Sequence, residues 1–285
     1  MKSFFGTRHL KRVATALAAP AVIALAAMPT ASADLLEQIL EEGVFTVGTE
    51  ARYAPHEFIE DGEIVGYSAD LMAEIMPHME GVELIRMDLP WQGILPGLER
   101  SRFDYVVTSV TATPERIARY HLSAPIADAT MAVLKRAGDD SISTPEDIAG
   151  KVAAAQAGSA QLQALEALAE ELEAAGTPVS RIRTYTAVDE AYADLAAGRV
   201  DAVVNSLPNV LEAERTRPDV FEVVDTFGEP RYFTWAGRPD EESASLNAFM
   251  DEQIRRLNEE GILNELQEKW FGAPMNVPLE LPGAE

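Results

Sequence analysis

Polar and apolar residues alternate along this chain with two periods. Short apolar runs at 44–48, 82–87, 105–108, 131–135, 152–156, 181–185, 202–204 and 221–224 have the length of buried strands, with a further short strand expected at 64–67. Between them the period lengthens to that of helices, at 35–42 (closed by Gly43), 68–79, 92–100, 114–118, 187–197 and 207–216. The longest internal helix, 159–175, carries an apolar stripe of Leu162, Leu165, Leu168 and Leu172. Thr144-Pro145-Glu146-Asp147 opens a short helix by the cap-then-proline rule. The chain closes with amphipathic helices at 242–259 and 262–270, joined at Gly261 and stopped by Gly272. This alternation predicts an α/β fold with largely parallel sheets, in two units that meet near residue 130. The tail 273–285, with prolines at 274, 278 and 282 and no periodicity, reads as a loose strap or a disordered end.

Composition adds a compartment. Lys2, Arg8, Lys11 and Arg12 precede an alanine-rich apolar stretch, and Ala31-Ser32-Ala33 fits a small-x-small cleavage site, so residues 1–33 read as an export signal and Asp34 as the mature N-terminus. The apolar stretch is short and broken by Pro20, which suits a cleaved leader better than a membrane anchor. The absence of cysteine excludes a lipoprotein anchor and disulfides, leaving a protein free in the periplasm. About 250 residues remain, enough for two lobes with cores of their own. No basic residue of the leader is matched by an acidic one, so the mature chain is more acidic still than the overall −24. Such a surface repels nucleic acid and anionic lipid. The carboxylates are scattered, so they speak for solubility rather than for a cation site.

Three segments carry candidate chemistry. In Thr111-Ala112-Thr113-Pro114-Glu115-Arg116, Thr113 is a helix cap, Pro114 a first helical residue, and Arg116 a guanidinium in the first turn: a clamp for a carboxylate. Upstream, Thr108-Ser109-Val110-Thr111 places hydroxyls and backbone groups at a strand end, where ligands of α/β sheets gather. In Gln156-Ala157-Gly158-Ser159-Ala160-Gln161 a strand, a glycine turn and a helix N-terminus make a second anion-friendly point on the other unit. Tyr53, in the irregular loop Glu50 to His56, and Trp91, before a helix, are aromatics that either stack on a ligand or cover their own core. His56, His78 and His121 lack zinc-site spacing, and no nucleotide-binding or nucleophile-elbow motif is present, so neither a metal, a cofactor nor a catalytic group is expected.

In order and spacing these segments resemble the bacterial extracellular solute-binding proteins of family 3, from about Leu35 to Gly272. The resemblance is carried by Val47-Gly48-Thr49-Glu50-Ala51 with Tyr53 and Pro55, by Val65-Gly66-Tyr67-Ser68-Ala69-Asp70-Leu71, by Trp91 to Leu98, by the Thr113-Pro114-Glu115-Arg116 turn, by Gln156-Ala157-Gly158-Ser159, by Ala196 to Ala202, and by Lys269-Trp270-Phe271-Gly272. It implies a two-lobed α/β periplasmic-binding-protein fold of type II, with one lobe from 34–128 and 233–285, the other from 129–232, and two hinge strands between them. It implies a monomer that binds a small amino-acid-like carboxylate and delivers it to the membrane permease of an ABC importer. Arg116 would hold the carboxylate, assisted by Thr111 and the backbone at Ser159 and Ala160. Tyr53 and Trp91 would sandwich the ligand, and Ser109 would offer its carbonyl. Ser206 stands where the family usually has an aspartate for the ligand's α-ammonium, and His56 where it usually has phenylalanine. The resemblance thus leaves the amine to Glu50 or Asp128, or to a ligand whose amine is absent or methylated. A dehydratase-like enzyme of the same fold, using His56 or Glu50, and a receptor's sensor domain are the rival implications.

Overall fold

The computed structural model describes residues 1–3 and 34–283, so the export signal lies, beyond its first three residues, outside the described residues. From Asp34 onward the chain builds two lobes, each around its own sheet. The first lobe's six-stranded sheet runs in the order Glu83–Asp88, Val44–Thr49, Tyr105–Thr111, Tyr232–Gly237, His121–Leu122, with Ala127–Asp128 also paired to Tyr232–Gly237. The second lobe's five strands run Arg181–Tyr185, Val152–Gln156, Ala202–Ser206, Met131–Arg136, Phe221–Phe227. The chain crosses between them twice, after Asp128 and again before Tyr232.

Both sheets are mixed rather than largely parallel. Val44–Thr49 is parallel to both its neighbours, and Val152–Gln156 likewise. Tyr232–Gly237 instead runs antiparallel to Tyr105–Thr111, and Met131–Arg136 runs antiparallel to Ala202–Ser206 and Phe221–Phe227. The reversed strands are those that enter each lobe from the other, so they lack the crossover helix that makes a βαβ pair parallel. Tyr232–Gly237, read in sequence only as a crossing segment, is a core strand of the first lobe.

Each sheet is covered on both faces, which is why its strands are nearly continuous apolar runs. On the first, Phe45, Val47, Tyr105 and Phe233 pack against helices Tyr67–Ile75, Ala244–Glu259 and Ile262–Phe271, while Val106, Val110 and Ala236 meet Ile94 and Leu98 of helix Trp91–Glu99. On the second, Ala153, Ala155, Ala202 and Val204 receive the leucine stripe of helix Ala160–Ala174, of which Leu165, Leu168 and Leu172 are buried, and the opposite face receives Leu195 and Val210. The helix expected at 68–79 ends at Ile75 and gives way to a 3₁₀ turn, Met76–His78, because Pro77 has no N–H to continue the ladder. Over its described residues, to Gly283, the tail is a strap: Val277 and Leu281 are buried in the first lobe, Asn258 Nδ2 donates to the Val277 carbonyl, and Glu280 pairs with Arg255.

Candidate functional site

The strand ends at Glu50, Ser109 and Gln156 face one another across the gap between the lobes. With Tyr53, Trp91, Thr111, Arg116, Ser159 and Gln161 they line a cavity of about 10 Å³. A roomier hollow of about 440 Å³ lies under the strap, but there the polar groups already answer one another: Arg255 pairs with Glu280, and His121 Nε2 lies 3.1 Å from Asp251 Oδ2. In the interlobe cavity the charged groups do not.

Arg116 is placed by local chemistry. Strand Tyr105–Thr111 delivers the chain to the cleft, and Thr113 Oγ1 caps the single helical turn Pro114–Ile117 by accepting the Arg116 N–H at 3.3 Å. The side chain folds back, so that Nη1 donates to the Thr111 carbonyl at 2.9 Å and the guanidinium lies 4.9 Å from the Trp91 ring centre. It is 8% exposed. Burial lowers its pKa to about 10, so it stays charged at neutral pH. Among the described residues it has no ion-pair partner; Glu115, in the same turn, is exposed. A buried cation satisfied only by a carbonyl and a ring face is an incomplete arrangement, and an anion completes it.

Glu50 lines the same cavity from the first lobe and accepts a hydrogen bond from Gln156 Nε2 of the second at 2.6 Å. Burial, with a lesser push from the nearby Glu57 carboxylate, raises its pKa to about 8, against the pull of that hydrogen bond. Its protonated form is therefore favoured at neutral pH. A carboxyl whose folded pKa lies above its unfolded value stabilises the fold while protonated. That contribution is complete below the ordinary carboxylate range and is lost as pH rises through about 8. Glu50→Gln is expected to reduce the fall in melting temperature between about pH 5 and pH 8. A profile parallel to the parent's would mean that Glu50 is ionised throughout.

Sequence reasoning missed two groups that shape this site. Glu57 is fully buried behind it: Oε1 accepts from Thr108 Oγ1 and from the Ser109 N–H (2.9 Å), and Oε2 accepts from Ser68 Oγ (2.8 Å). It fixes the strand end that presents Ser109, and burial raises its pKa to about 7. Gln161, on the first turn of helix Ala160–Ala174, lines the cavity and donates to the Tyr53 hydroxyl at 3.3 Å. Its place one turn inside a helix whose start faces the cleft was the only cue; Glu57 offered none beyond lying next to the Tyr53 loop.

Of the other candidates, His56, Asp128, Ala160 and Ser206 fall outside the lining. His56 is fully buried against Tyr53, Phe233 and Phe271, with ring centres 5.7, 4.8 and 4.8 Å apart, and burial pushes its pKa down to about 3. It is a neutral core aromatic that does not line the cavity. Asp128 spends its carboxylate on Thr130, accepting from its N–H at 2.9 Å and its Oγ1 at 3.0 Å, so it shapes the crossing turn and does not reach the cavity. Ser206 is fully buried, donates to Asn209 Oδ1 and sits 3.4 Å from the Tyr53 hydroxyl, one layer behind the lining. Ala160 contributes only the first-turn N–H that its helix position leaves without an intrahelical partner. The Ser159 hydroxyl is occupied with capping, accepting from the Leu162 N–H and donating to the Gln156 carbonyl. Tyr53 and Trp91 border the same cavity, but the guanidinium, not an open space, covers the Trp91 face.

Two α/β lobes joined by two crossing segments, with polar strand ends gathered between them, define a cleft-type binding protein of the type II periplasmic fold. The chain belongs to the bacterial extracellular solute-binding proteins, family 3, whose model matches residues 45–273. It is similar to the L-cystine-binding protein TcyJ of Escherichia coli K12, 28% identical over 93% of this chain and 97% of that one. Among solved structures it is similar to an ancestral arginine-binding protein bound to arginine (29% identity, 81% of this chain and 99% of that one, TM-score 0.72). It is equally similar to the ancestral amino acid-binding protein AncCDT-1, a precursor of cyclohexadienyl dehydratase (28%, 83% and 99%, TM-score 0.73).

Proposed function

We propose that this protein captures a small amino-acid-like carboxylate between its lobes and delivers it to the membrane permease of an ABC importer. The observation that carries the reading is Arg116, buried, charged and without an acidic partner at the meeting point of both lobes. Thr111, the Ser109 carbonyl and the helix start at Ser159 and Ala160 would complete the anion's shell. Glu50 is the group that would meet a ligand cation, giving up its proton as it does so; the named binding of amino acids by the relatives supports the zwitterionic class. The lobes, 34–128 with 233–285 and 129–232, would close on the ligand about the two crossings, since a ligand touching both favours the closed form by its differential affinity. The leader at 1–33 would be cleaved on export, leaving a monomer free in the periplasm. A thermal-shift screen over L-cystine, L-arginine, L-glutamine, betaines and opines tests this. A true ligand at 100 times its Kd contributes about 2.7 kcal/mol to the native state, which raises Tm by roughly 5–10 °C for a chain of this size. No shift with any carboxylate would defeat the reading.

A second reading is favoured by one observation. A carboxyl that keeps its proton near neutral pH inside a closed cleft, as Glu50 does, is what a general acid needs, and AncCDT-1 is a precursor of a dehydratase. Turnover of cyclohexadienyl carboxylates, followed by the absorbance of an aromatic product, separates that reading from simple binding.

A further inference from the structure

The second lobe carries a polar socket that the first lobe fills itself. Tyr53 crosses the cleft, and its hydroxyl donates to Asn205 Oδ1 at 2.6 Å while accepting from Gln161 Nε2 at 3.3 Å, with Ser206 Oγ at 3.4 Å. The socket is rigid. Asn205 Oδ1 also accepts the Ser206 N–H at 2.8 Å, and Asn205 Nδ2 donates to the Tyr192 hydroxyl at 2.8 Å, which fixes the amide's orientation. Next to it Asn209 Nδ2 donates to the Ala54 carbonyl at 2.9 Å, holding the residue after Tyr53 to the same lobe. Tyr53, Asn205, Ser206 and Gln161 are all buried, whereas Gln92, which bridges the lobes to the carbonyls of Ala157 and Thr186, is exposed. Trp91 Nε1 also donates across the cleft, to the Gly158 carbonyl at 2.9 Å, and among the described residues the other cross-lobe hydrogen bond between side chains, Glu50 with Gln156, lies in the cavity lining, where a ligand would remake it.

We infer that the Tyr53 hydroxyl is a built-in latch: it occupies the second lobe's Asn205–Ser206–Gln161 socket in place of a ligand group, so that closure draws on the protein's own phenol and the ligand is read by the rest of the lining, with Arg116 and the Glu50–Gln156 pair as its charged points. The inference rests on the proposed binding function and deepens it. Because the phenol both donates and accepts, it leaves the socket no demand for a ligand ammonium. It also makes Tyr53 a positioning residue for closure, beyond any contact its ring has with ligand. The ring itself is anchored independently, stacked on His56 and edge-on to Phe233 at 6.1 Å, so loss of the hydroxyl alone leaves the loop packed.

The test needs no ligand, so its failure is distinct from failure of the binding function. The chain has no cysteine, and the exposed positions Glu60 and Glu173, one on each lobe, accept dyes after Glu60→Cys and Glu173→Cys. Single-molecule energy transfer then reads how long the lobes stay closed. Losing the buried hydrogen bonds of the phenol, of which the 2.6 Å bond to Asn205 is the shortest, shortens the closed dwell at least about fivefold to tenfold in Tyr53→Phe. Asn205→Ala, which opens the socket from the other side, shortens it by about the same factor, and the double variant goes little further because both remove one interaction. Closed dwells in both single variants equal to the parent's, or effects that multiply in the double variant, would overturn the latch. A variant that is merely less stable melts earlier without a change in dwell.

Discussion

Arg116→Ala is expected to bind the ligand at least about 30-fold more weakly than the parent. Truncating one partner of a buried, hydrogen-bonded charge pair typically costs about 2–5 kcal/mol, and roughly 30-fold is the lower end of that range converted to affinity. Arg116 is 8% exposed and its own lobe offers the guanidinium only the Thr111 carbonyl and the Trp91 face, so under the proposed function a bound carboxylate would carry most of its compensation. Arg116→Lys is expected to recover little. An ammonium can reach an oxygen but cannot present the planar fork that pairs both carboxylate oxygens or lie flat on the indole. Calorimetry with the best ligand of the thermal-shift screen measures both variants. Near-parental affinity in Arg116→Ala would remove Arg116 from the site. Because removing the charge also relieves its desolvation, the same variant should melt no earlier than the parent in the absence of ligand.

Gly66→Ala is expected to cause the largest loss of stability among single-methyl additions near the site. Gly66 sits at φ +120°, and a Cβ there would stand 2.5 Å from the His56 carbonyl oxygen and 2.9 Å from that of Pro55. Those are the carbonyls that accept the Ser68 and Tyr67 N–H groups at 2.9 and 3.1 Å. The glycine is thus the point where the loop bearing Tyr53 and Glu57 is pinned to the start of helix Tyr67–Ile75. Neither contact is a flexible side chain, so the loop must lift. Backbone strain of about 1–3 kcal/mol together with overpacking of about 1–3 kcal/mol sets the expected loss at roughly 2–6 kcal/mol, read from the urea midpoint. A midpoint shift worth less than about 0.5 kcal/mol, the scatter of ordinary surface changes, would show that the loop can move freely. Affinity should fall as well, since Tyr53 travels with the loop.

Much of the architecture was readable because it is local. Apolar runs of strand length, helix stripes and glycine stops are set by residues within a few positions of one another, and strands Val152–Gln156 and Arg181–Tyr185 and helix Leu207–Thr216 fall where the pattern puts them. The strand direction within each sheet was not readable. Whether Tyr232–Gly237 pairs parallel or antiparallel depends on which lobe the chain comes from, and no window of sequence contains that information. The site divides the same way. The Arg116 turn was legible because its cap, proline and guanidinium are adjacent in the chain. Glu57 and Gln161 were not, since what makes them matter is a strand end about 50 residues away in one case and a tyrosine hydroxyl of the other lobe in the second.

By itself, then, the sequence determined the α/β alternation, the position of the capped turn that bears Arg116 and the acidic, cysteine-free character of the chain, all of which follow from neighbouring side chains or from composition. Only the tertiary structure decided what each polar group near the cleft is for. It turned His56 inward against Phe233 and Phe271, where burial keeps the imidazole neutral. It committed Asp128 to the crossing turn and set Ser206 behind Tyr53. It raised the pKa of Glu50 by closing the second lobe over it. Each of these is a question of desolvation and of hydrogen-bond partners supplied from distant segments, and those terms exist only once the lobes are assembled.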